Sequence, residues 1–203
     1  MPAISPEDIG NMALDLLTES PIDSFDDDTK AARLLKRHFE TTREAELTAN
    51  NWRFAILRAS LEEDAAPPAS SVYSHQYLRP DDALRILPLT YGGEPEGRPI
   101  DHTIEGDYIL TRVSGTLPVR YIGNLIDPND FTALFTDVLA AALAIKIGHT
   151  LTGKASLVEL STNAYDRALR RAQAVNAIEM GSASPYRADT WEDARAGFRG
   201  YGW

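Results

Sequence analysis

Apolar residues Ile9, Met12, Ala13, Leu16 and Leu17 recur at i, i+3, i+4, i+7 and i+8, a spacing that places them on one face of a helix. Ser5 stands where a cap belongs, Pro6 at the first helical position and Asp8 where a capping box needs an acid, and Ser20-Pro21 closes the segment. A first helix is therefore predicted over about 6–18. Asp26, Asp27 and Asp28 place negative charge where the positive end of a second helix would lie, over about 27–50. Its thinner stripe runs through Ala31, Leu34, Leu35, His38, Thr42, Ala45 and Ala49 to Asn50-Asn51.

The period then changes. Trp52, Phe54 and Ile56 alternate, Asp64 to Ser71 is rich in Pro, Ala and Ser, and Tyr77-Leu78-Arg79-Pro80-Asp81-Asp82 turns into Leu84–Leu89. After the glycines of 92–97, Ile100–Ile104 and Tyr108–Thr111 flank Glu105-Gly106-Asp107, a hairpin signal, and Val119–Ile122 reads as a last strand. Residues 52–125 thus predict a small antiparallel sheet inserted between helices.

Helical spacing returns after Asp127-Pro128-Asn129-Asp130 with Phe131, Leu134, Phe135, Val138, Leu139, Ala142 and Ile145, over about 128–148. The almost unbroken apolar run Leu139–Ile147 predicts the most buried helix, ended by Gly148 to Gly153. A fourth helix, over about 154–180, carries Leu157, Leu160, Ala164, Ala168, Ala172, Val175 and Ile178, with Gly181 as its left-handed cap. The expected fold is α+β and mainly α: an antiparallel helical bundle, an inserted sheet, and an extended C-terminal arm. That divides the chain into a core, 1–181, and an arm, 182–203.

In the arm, Tyr186, Trp191, Phe198, Tyr201 and Trp203 lie among Gly, Ala, Arg and Asp with no amphipathic period. Large anchors among small residues are what interfaces favour, so these aromatics, with Arg187, Arg195 and Arg199, are the expected partner-binding residues. The competing arrangement folds them back onto the core.

Charge narrows the function. The net charge of -10 argues against a free-standing nucleic-acid binder, which needs clustered cations, and no Lys or Arg precedes Lys30. With no cysteine, thiolate chemistry, disulfides and Cys-based zinc sites are excluded. Residues 1–6 lack the pattern of a secretion signal. Phe131–Ile147, interrupted by Asp137 and Lys146, reads as too short for a bilayer, so no membrane is expected.

No catalytic, cofactor or metal constellation emerges. His38, His75, His102 and His149 are scattered without metal-ligand spacing, and Asp127–Asp130 lacks the glycine and distal Glu of a calcium loop. Gly92-Gly93 and Gly97 are followed by no Gly-Lys-Ser/Thr, and Ser114-Gly115 lacks a G-x-S-x-G context. An enzymatic alternative would require His75 or His102 to converge with an acid in a pocket. Lys154, Arg167, Arg170 and Arg171 read as the solvated face of the fourth helix.

Three segments carry a resemblance. The first is Ala13-Leu14-Asp15-Leu16-Leu17 with Glu19-Ser20-Pro21-Ile22 and, after a helix, Asn51-Trp52-Arg53-Phe54-Ala55. The second is Tyr77-Leu78-Arg79-Pro80-Asp81-Asp82 with Leu84-Arg85-Ile86, and the third is Tyr121-Ile122 with Asp127-Pro128, Phe131, Phe135 and Leu139–Ala144. In this order, over roughly residues 6–180, the chain resembles the head-to-tail adaptor and tail tubular protein A family of tailed phages. One position departs: Thr18 stands where a glycine often precedes the Glu-Ser-Pro-like turn.

The resemblance implies a structural, non-catalytic role in a twelve-fold ring beneath the portal protein. Such a ring continues the DNA channel, without sequence-specific DNA binding, and receives a tail nozzle or tail-completion protein. It further implies assembly in the host cytoplasm and a final place at the neck of the virion, with the arm suited to reach the portal. The rival from a different class is a helical interaction module or regulator unconnected with phages.

Overall fold

A computed structural model describes residues 3–66, 68 and 72–181. Within them the chain is α+β, with four α-helices and two small antiparallel sheets, the strands lying between the second and third helices.

Helix α1 spans Pro6–Leu16 and starts as its local sequence dictates. Asp8 N–H donates to Ser5 Oγ at 3.1 Å and Ser5 N–H to Asp8 Oδ2 at 2.8 Å, a reciprocal box that also holds the Asp8 carboxyl below its usual range. Its end is equally explicit: Thr18 N–H donates to Asp15 O at 3.1 Å and Glu19 N–H to Leu14 O at 3.1 Å, with Thr18 at φ 57°. Thr18 thus occupies the left-handed position of a helix cap.

Helix α2 spans Lys30–Ala49, starting later than the acids at 26–28 suggest. Thr29 caps it, its Oγ1 accepting from Ala32 N–H at 3.0 Å. The Asp27 carboxylate instead turns back to accept from the backbone N–H of Asp23 and Ser24, at 2.9 and 3.1 Å, while Asp26 and Asp28 pair with Lys36 and Arg33. Aspartate bonding its own local backbone competes with helix, so the three acids build the turn ahead of α2. The buried side runs through Ala32, Leu35, Phe39, Arg43 and Leu47, leaving Ala45 and Ala49 exposed and His38 half-buried.

Helix α3, Ala133–Thr152, also begins late. Asp127-Pro128 opens a separate 3-10 turn over Pro128–Asp130, and Thr132 caps α3 through Phe135 N–H. Gly148 does not end the helix. It sits inside α3 where Leu17 and Val158 press close, and the chain turns only at Gly153, φ 67°. Lys30 Nζ donates to the carbonyls of Thr150 and Leu151, neutralising the negative end of α3.

Helix α4, Ala155–Gly181, includes Gly181 as its last residue, so that glycine is not a cap beyond the helix. Helix α3 packs against α1, α2 and α4. At 20 residues it is long and apolar enough to cross a membrane, contrary to the length expected from Phe131–Ile147. Burial of 61% of its apolar window inside the protein accounts for that composition.

Two sheets replace the single one expected. Strands β1 (Ile56–Leu61), β3 (Ala83–Ile86) and β6 (Leu117–Gly123) pair in the order β1-β6-β3. Strands β2 (His75–Leu78), β4 (His102–Glu105) and β5 (Tyr108–Thr111) pair as β2-β5-β4, the β4–β5 hairpin turning through Gly106 at φ 59°. The turn at 79–82 sends consecutive strands to different sheets. Tyr77 and Ile109 of one sheet then share a core with Leu117, Val119 and Tyr121 of the other. Ile122, with the half-buried Ile56, joins the helical core, so the β1-β6-β3 sheet lies between the helices and the β2-β5-β4 sheet. Trp52 is not in a strand. It precedes a 3-10 turn, Arg53–Ala55, and is buried with its indole N–H donating to Glu46 O at 2.8 Å.

Candidate interaction surface

Tyr186, Arg187, Trp191, Arg195, Phe198, Arg199, Tyr201 and Trp203 lie outside the described residues. The surface that leads to them is α4. Its inward side is Ser161 and Ala172, both buried, with Tyr165 reaching α2: the phenol donates to Glu46 Oε2 at 3.1 Å. Burial, then the Glu46 charge, push the Tyr165 phenol up to about 12, and burial raises Glu46 above the usual carboxylate range. Near its C-terminal end, α4 is held by Asn176, whose Oδ1 accepts from Arg53 N–H and whose Nδ2 donates to Asn51 O.

The stripe expected to face inward includes three residues that face out. Leu160 is 60% exposed, Val175 44% and Ile178 74%. At about 100° per residue, these three fall on the same side of α4 as Ala164, Arg167 and Arg171, next to the buried side rather than on it. Small alanines on both sides gave the sequence two adjacent apolar stripes and no means of ranking them.

Along this side runs a cavity of about 350 Å³ between α1, α3 and α4, with Met12, Leu16, Ala140, Ala141, Ala164 and Ala168 as apolar wall and Asp137, Arg167 and Arg171 as its polar part. Arg167 and Arg171, exposed as expected for a solvated face, also border this groove. Neither makes an ion pair among the described residues, nor does Asp137.

A second feature escaped the sequence reading. Ile126 is 68% exposed on the segment joining β6 to the 3-10 turn, with Asp127 and Asp130 exposed beside it. The segment is fixed from below by Arg43, a fully buried guanidinium that donates to Leu125 O at 2.6 Å and pairs with Glu40 at 2.6 Å and Glu44 at 3.6 Å. Asn124 Nδ2 donates to Glu44 at 3.4 Å, and Ile4 N–H donates to Asn129 Oδ1 at 3.1 Å. An isolated isoleucine before Asp-Pro was the available signal.

The histidines separate clearly. His75 Nδ1 lies 2.6 Å from Glu63, so one histidine does converge with an acid. Glu63 is also the acceptor for Gly115 N–H at 2.9 Å, and that bond first, with His75 second, holds its carboxyl below the usual range. The pair ties the segment after β1 to the start of β2, Glu63 also holding the turn before β6. It lines neither the α1–α3–α4 groove nor the smaller cavity at Leu78, Arg79, Pro80, Asp81 and Asp107. His102 Nδ1 faces Ile100 O at 2.8 Å. Among the described residues no group of three or more His, Asp or Glu is placed to hold a metal ion.

No family model and no curated protein matches this chain.

Proposed function

We propose that the chain is a non-catalytic head-to-tail adaptor of a tailed phage or phage-like particle. In this reading its helices form an antiparallel bundle, and copies of it, twelve in the virion, form a ring below the portal protein. The ring continues the DNA channel and offers the platform for a tail nozzle or tail-completion protein. Assembly takes place in the host cytoplasm, and the arm at 182–203 anchors the ring to the portal through its aromatics and arginines. A net charge of -10 suits a conduit along which DNA slides without being held.

The observation that supports this reading is the meeting, in space, of the three segments that carry the resemblance. Trp52 and Phe54 contact Phe135 with ring centroids at 5.3 and 5.2 Å, and Phe131 lies 5.1 Å from Phe135. Arg85 and Ile86 of the second segment pair across the sheet with Ile122 and Tyr121 of the third, and Tyr121 Oη donates to Asp82 at 3.3 Å. Residues noticed separately along the chain thus build one junction between helices and strands.

The test is light scattering of the full chain mixed with the portal protein of the same genome, beside a chain ending at residue 181. A high-mass complex that is lost on truncation is expected. A complex that survives truncation keeps the adaptor role and moves its anchor to the core. No complex with a folded full chain and an intact portal overturns the proposal in favour of the interaction-module reading.

A further inference from the structure

Two unlike patches on this chain complement each other. On α4, exposed Leu160, Val175 and Ile178 form a ledge spanning about 27 Å, at about 1.5 Å per residue, with Ala164 and the exposed Arg167 and Arg171 between its apolar ends and a groove alongside. On the segment after β6, exposed Ile126 stands between acids: Asp127 and Asp130 next to it, Glu40 and Glu44 on the helix beneath. One patch is apolar with two cations that make no ion pair among the described residues and a single acid, Asp137, in the same groove, and the other is apolar with acids outnumbering the one buried Arg43.

The two approach α2 from different sides. Tyr165 of α4 meets Glu46, whereas Asn124 of the Ile126 segment meets Glu44, two positions earlier and so about 200° round the helix. A single copy does not bring them together, because neither Arg167 nor Arg171 has an ionic partner among the described residues. We infer that the α4 ledge of one copy receives the Ile126 patch of a second copy. Such a contact joins unlike surfaces, so each copy keeps one free patch of each kind and the association continues until it closes into a ring. The inference rests on the ring reading for its biological setting, but the contact itself belongs to the chain alone.

The absence of cysteine makes the test direct. Full-length Ile126→Cys is mixed with full-length Leu160→Cys, Val175→Cys or Ile178→Cys and oxidised, at high protein concentration and again in the presence of the portal. Disulfide dimers are expected in at least one mixture and in none of the four single variants, since only paired positions come within bridging distance. Adding Arg167→Glu and Arg171→Glu to the ledge partner lowers the yield about tenfold, and pairing that partner with a chain carrying Asp130→Arg as well as Ile126→Cys recovers it. Equal cross-linking of a ledge variant with itself overturns the inference in favour of a symmetric contact. No cross-link in any mixture, with or without portal, overturns it outright. A portal complex that forms without any cross-link leaves the adaptor reading standing and removes only this interface.

Discussion

Thr18 carries a strain that its neighbours impose. The Schellman turn closing α1 needs a left-handed residue, and Thr18 is the described non-glycine residue with positive φ. For a β-branched side chain the left-handed region costs about 1–2 kcal/mol, partly offset by the greater freedom glycine has when unfolded. Thr18→Gly is therefore expected to stabilise the protein by about 0.5–1 kcal/mol, read as a higher urea midpoint with an unchanged slope. Arg43 works in the opposite sense. Its buried guanidinium satisfies Leu125 O and balances two acids, although its Nε has no partner. Arg43→Ala leaves that carbonyl bare and a void beneath the segment, with an expected loss of about 3 kcal/mol in denaturant unfolding.

Tyr165 and Glu46 give the residue scale its pH dependence. The Tyr165 phenol titrates near 12 when folded and near its ordinary 10 when unfolded, so the protonated form is favoured by folding. Its contribution is complete below pH 10 and disappears as pH rises towards 12. Thermal unfolding scans across that window should show a falling melting temperature for the natural chain and a flatter profile for Tyr165→Phe. Glu46 is likewise raised, by burial, so its ionisation opposes folding as pH climbs through its shifted value.

At the scale of elements, Gly148 shows how tightly α3 is gripped. A Cβ there would stand 3.0 Å from Leu17 Cδ2 and 3.1 Å from Val158 Cγ2, so a side chain wedges α1 and α4 away from α3. Gly148→Val is expected to cost about 2–3 kcal/mol, the range for overpacked cores, whereas Gly153→Ala, in open space but at φ 67°, costs about 1 kcal/mol. Equilibrium denaturation of the two variants should keep that order. How much was legible in the sequence follows the same locality. The α1 box was readable because Ser5 and Asp8 meet within one turn. The start of α2 was not, because Asp27 had an upstream backbone to bond instead of the helix. The sheet partition depended on β6 pairing with both β1 and β3, contacts between residues far apart in the chain that no local pattern encodes. The candidate surface was half legible: Arg167 and Arg171 were noticed, but their groove exists only because α1 lies alongside.

For the whole molecule, the central position of α3 sets the order in which it comes apart. Packed against α1, α2 and α4, and fully buried at Val138, Leu139, Leu143 and Ala144, α3 should expose its amides only on global unfolding. Hydrogen exchange is expected to be slowest at residues 138–147, and faster in β4, an edge strand whose Ile104 is 42% exposed. The β region is attached in another manner. Ile56 and Ile122 are direct partners across the β1–β6 ladder, so the chain departs from the helices and returns to them at points only about 5 Å apart. Strands β2, β4 and β5, which contribute nothing to the helical core among the described residues, can be lengthened, shortened or traded without changing the distance that α2 and α3 must span. The protein thereby has a socket as well as a core: one part of its sequence is free to track a changing neighbour while the rest keeps its shape.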